Sequence, residues 1–123
     1  GWEEEEKTEI KNKLNNRESV SKKDMRKLKA QIVSERSAQL KPLEISIKTL
    51  EDSIEAAEKK LQLANNKMIE ASSSGNSTEI SDLGKEIHSI QQHIDSSFEE
   101  LVLLTDQYDC LTEEFDKKLD ELT

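Results

Sequence analysis

Five cations crowd one short stretch of this chain: Lys22, Lys23, Arg26, Lys27 and Lys29. On a helix, Lys22, Arg26 and Lys29 lie close to one face, with Lys23 and Lys27 flanking it. Such a face suits a phosphate backbone. Cations release condensed counterions from a nucleic acid, and arginine grips phosphate with two donors at once. No aromatic residue interleaves with the cluster, so bases have nothing to stack on. Binding here would follow phosphates rather than sequence and would weaken steeply with salt. The competing reading is a solvated helix face whose cations offset acids elsewhere in the chain. The charge pattern alone leaves both open.

Other chemistry finds no array to carry it. His88 and His93 stand five residues apart, which is not the one-face spacing of a helical metal pair. Ser72, Ser73 and Ser74 have no histidine base arranged nearby. The Gly75-Asn76-Ser77-Thr78 stretch has no lysine and so is no phosphate loop. The many acids read as solvated helix surface. The segment is therefore expected to be a binding or structural element, not an enzyme, with no metal and no cofactor of its own.

The elements that would position the cations follow from apolar spacing. Alternating steps of three and four mark Leu40, Leu43, Ile47, Leu50, Ile54, Ala57, Leu61, Ala64, Met68 and Ala71. They resume at Ile80, Leu83, Ile87, Ile90 and Ile94, then at Leu101, Leu104, Tyr108, Leu111 and Phe115. If the chain folds back at Gly75, facing residues should have numbers that add to a constant. They do: every pair from Ala71 with Ile80 outward to Leu40 with Leu111 gives 151. Each a position of one arm meets a d position of the other, as antiparallel packing requires. The expected fold is all-α: an intramolecular antiparallel two-helix coiled-coil hairpin with a basic N-terminal helical segment. Residues 1–20 read as a linker, 21–41 as the basic helical segment, and 42–123 as the hairpin, with its turn at 72–79.

Three places strain this pattern. Ser97 occupies a d position opposite Ile54, and a local shift is expected to let Phe98 cover the gap. Lys118 occupies a d position opposite Val33, and Arg36 falls opposite Phe115, where its stem can pack while its guanidinium reaches water. The simple register should fail there and give way to other packing. Ser21 looks like the helix N-cap, with Asp24 three residues on. Pro42 removes one backbone hydrogen bond and crowds the preceding turn. A kink or break is expected near residues 38–41, though the seam on either side could hold one bent helix.

Bulk composition limits the rest. The chain has 123 residues, 37% charged and only 3% aromatic, which suits one small domain without a broad core. The net charge of −9 is unevenly placed. Residues 11–41 carry ten Lys or Arg against Glu18, Asp24 and Glu35, whereas residues 42–123 carry seven Lys against nineteen acids. A polarised molecule of this kind chooses partners by its charged ends. No run of about 18 apolar residues exists to span a membrane. Glu3 to Glu6 leave no room for a signal-like apolar start. Cys110 is alone, which rules out an internal disulfide and suits a reducing cytoplasm. The matched register favours a monomeric hairpin, while exposed Ile45 and Leu63 leave room for dimers.

Residues 17–28, RESVSKKDMRKL, followed by Leu40-Lys41-Pro42-Leu43 and the antiparallel heptads, resemble the C-terminal tail of an ABC-F ATPase of the Uup-like group. The likeness covers residues 17–122. It implies a cytoplasmic protein with two ATP-binding cassettes, using ATP and Mg, and no membrane domain despite the transporter-like label of the superfamily. It implies action on nucleic acid, DNA or the ribosome. By that likeness Arg17, Lys22, Lys23, Arg26, Lys27 and Lys29 would be nucleic-acid-binding residues. The acidic return arm would repel phosphates and confine contact to the basic segment. The alternative is a protein-interaction or spacer coiled coil that docks on its own ATPase domains or on the ribosome.

Overall fold

The computed structural model describes the backbone of residues 2–122 and the side chains of residues 21–122. Two helices make up the fold, α1 over Trp2–Ser74 and α2 over Ser77–Asp120. The protein is all-α, and the two helices pack against each other as a hairpin. It divides into two compact units. One is Leu40–Cys110; the other combines residues 1–39 with residues 111–123.

The seam of the Leu40–Cys110 unit follows the spacing rule closely. Leu40, Ile54, Ala57, Ala64, Ala71 and Leu83 are buried. Leu43, Ile47, Leu50, Leu61 and Met68 on α1 are half-buried, as are Ile80, Ile87, Ile90, Ile94, Leu101, Leu104 and Tyr108 on α2. Two side-chain bonds cross between the arms and fix their mutual level. Ser53 Oγ and His93 Nε2 share a hydrogen bond at 3.4 Å, and Tyr108 Oη donates to Glu44 Oε1 at 3.1 Å.

One expectation inside this seam is overturned. Ser97 stays in the seam, 5% exposed, and Phe98 remains outside, 45% exposed. The reason is rotational. Adjacent helical residues differ by about 100° in direction. Turning Phe98 inward would therefore carry Ile94 and Leu101 out of place, and their combined burial outweighs one ring.

The turn is tighter than the 72–79 range expected. Only Gly75 and Asn76 lie outside helix. Gly75 has φ of 71°, in the left-handed region that ends helices. The Asn76 N–H donates back to the Ala71 carbonyl at 3.2 Å, the long bond of a Schellman end. Asn76 then caps the next helix. Its Oδ1 accepts the Glu79 N–H at 3.2 Å, its Nδ2 donates to Glu79 Oε2 at 3.4 Å, and its carbonyl accepts the Ile80 N–H at 3.0 Å. One asparagine thus closes α1 and opens α2.

The unit of residues 1–39 and 111–123 replaces the simple register, as the strained positions suggested. Ile32 and Phe115 are buried and Leu119 is half-buried, while Val33 and Lys118 are exposed. The step from Phe115 to Leu119 is four where the heptad calls for three, and the steps from Ile32 through Arg36 to Leu40 are both four. Such a stutter moves the apolar stripe sideways without unwinding the helix. It occurs at matching positions on both arms, so Ile32 and Leu119 still add to 151. Arg36 keeps its seam position. Its Nη2 lies 3.3 Å from Asp116 Oδ1, and its buried Nε has no hydrogen-bond partner among the described residues. Lys118 Nζ sits 5.0 Å from the centroid of the Phe115 ring, a cation–π distance.

Neither Ser21 nor Pro42 interrupts α1. The helix runs through Ser21, which is therefore not an N-cap, because residues 2–20 contain no Gly or Pro and many good helix formers. The segment set aside as a linker is thus helical in backbone, and what its side chains touch lies outside the described residues. Pro42 is inside the helix. It costs on the order of 3 kcal/mol there. Leu40 and Leu43 hold seam positions on either side of it and keep the chain helical.

Candidate nucleic-acid interface

The basic cluster is carried on a continuous stretch of α1, so its side chains keep the helical spacing assumed for them. Lys22, Lys23, Arg26, Lys27 and Lys29 are all exposed. Among the described residues none of the five makes an ion pair; the ion pairs found lie at Arg36, Lys48 and Lys59. Successive side chains differ by about 100°. Lys22, Arg26 and Lys29 therefore fall within one narrow sector, with Lys23 and Lys27 beside it. Asp24 and Glu35 project from another side of the helix. The face offers five exposed cations on long flexible stems, with no aromatic residue among them.

The structure sorts the other cations of this region. Arg36 is drawn into the seam and bonded toward Asp116, so it is not part of the exposed set. Lys41 is exposed. Arg17 lies outside the described side chains.

The remaining sequence candidates take structural or solvated roles. His93 joins the arms through Ser53, and His88 is exposed. Cys110 is a free, exposed thiol. Among the described residues no group of three or more His, Cys, Asp or Glu could hold a metal ion. No helix of the described residues is long and apolar enough to cross a membrane. A hollow beside the turn is lined by Lys67, Asn76, Glu79, Asp82 and Glu86 among others.

One surface feature escaped the sequence reading. Phe98 and Val102, one helical turn apart on α2, are both exposed, within a strongly acidic stretch. The signal was present in the spacing. Once Ile94, Leu101 and Leu104 are assigned to the seam, Phe98 and Val102 fall at e and b positions, on the flank. Ile45 and Leu63 are exposed as expected. Comparison with known proteins finds no matching family, no matching curated protein and no matching solved structure.

Proposed function

We propose that this chain is an accessory nucleic-acid-binding tail of an ABC-F-like ATPase, with the basic face of residues 22–29 as its contact surface. The observation that carries the reading is the exposure of five closely spaced cations that no described acid neutralises. Unpaired, they hold counterions whose release drives association with a polyanion.

The acidic character of α2 limits the footprint. A duplex or folded RNA laid along Glu99, Glu100, Asp106 and Asp109 would meet like charge, so contact is confined to the basic segment. DNA and ribosomal RNA share the phosphate chemistry that this face reads. Positioning by phosphates without base recognition is the expected behaviour of a tail that strengthens a larger protein's grip.

The test is a titration of the chain against a DNA duplex and a structured RNA at about 50 and about 200 mM salt. Binding that falls steeply between the two supports the reading. Lys22→Glu with Arg26→Glu should weaken binding across all sequences and flatten the salt slope by about one unit or more per cation removed. No binding at about 50 mM salt sinks the proposal.

A further inference from the structure

We draw no further inference here: the strongest candidate, the exposed Phe98–Val102 pair on the flank of α2, carries nothing, because the edge of α1 along it sets Lys48 beside Glu44 and Glu51 and nothing in the structure shows what covers it.

Discussion

Arg36→Met should make the protein more stable. Arg36 occupies a seam position beside buried Phe115, with its side chain 35% exposed. Its Nε is buried without a hydrogen-bond partner. Leaving a buried polar group unsatisfied costs about 1–3 kcal/mol. Against that stands one ion pair to Asp116, at 3.3 Å, whose carboxylate side chain is 55% exposed. Pairs this open to solvent contribute about 0–1 kcal/mol. Methionine retains the unbranched stem at the seam position and removes the orphan nitrogen. The net gain should be about 1 kcal/mol. Urea unfolding followed by circular dichroism measures it; with a slope of about 1–2 kcal/mol/M, the midpoint should rise by about 0.5–1 M. Asp116→Asn is the control, since it breaks the ion pair and leaves Nε as it was, and should cost no more than about 1 kcal/mol. A loss of more than about 1 kcal/mol in Arg36→Met would refute the reasoning, because it would mean that the guanidinium holds the two arms together.

The two described glycines should respond oppositely to the same change. Gly75→Ala forces a side chain into the left-handed region at φ 71° and should cost about 1–2 kcal/mol. Gly84→Ala places a Cβ that meets only Met68 Cε, at 3.9 Å, and should gain about 0.5–1 kcal/mol from helix propensity; equal effects in urea midpoints contradict both assignments. Ser97→Ala keeps a small residue in the seam and removes a buried hydroxyl, so it should gain about 0.5 kcal/mol, and a loss above about 1 kcal/mol in the same assay would show the hydroxyl to be needed. Lys48 is held above its ordinary pKa of 10.5, chiefly by its hydrogen bond to Asp52 and then by that carboxylate's charge. A raised pKa means stability present below pH 10.5 and lost as pH climbs through the raised value. Any melting-temperature advantage over Lys48→Gln should therefore be present near neutral pH and shrink as pH rises above 10.5; an advantage that does not shrink argues against the ion pair as its source.

Much of the hairpin was legible because helical geometry ties apolar spacing to a face. Every seam position from Leu40 to Ile94 follows from steps of three and four, and the constant pair number identified the turn at Gly75. Hydrophobicity weighed one residue at a time favours Phe98 over Ser97 in the seam, and the structure has the reverse. A helix rotates as a rigid body, so the burial of Ile94 and Leu101 decides where Ser97 and Phe98 go. The stutter at Ile32 and Leu119 was half legible. The broken heptad showed where packing must change, but only the paired shift on both arms shows how. At Pro42 the local cost of proline and the supporting seam residues Leu40 and Leu43 are both visible in the sequence, and the folded seam shows that the support prevails and α1 stays continuous. The basic face could be read from charge and spacing, whereas the acidic apolar edge at Phe98 emerges only after the seam has claimed its own residues.

The mirror arrangement about Asn76 also orders the folding process. Cross-arm partners lie progressively further apart in sequence with distance from the turn: Ser53 and His93 are separated by 40 residues, Glu44 and Tyr108 by 64. The chain-entropy cost of bringing two segments together grows with the loop between them. Once the Gly75–Asn76 turn has formed, each further layer adds to an existing ladder rather than closing a fresh loop. The easiest contacts to form first are thus those of Ala71, Met68, Ala64, Leu61 and Ala57 with their partners, and three of these five α1 residues offer only a methyl group. The cheap nucleus is the weak one, and assembly should commit only when growth reaches Ile54 and the larger side chains beyond it.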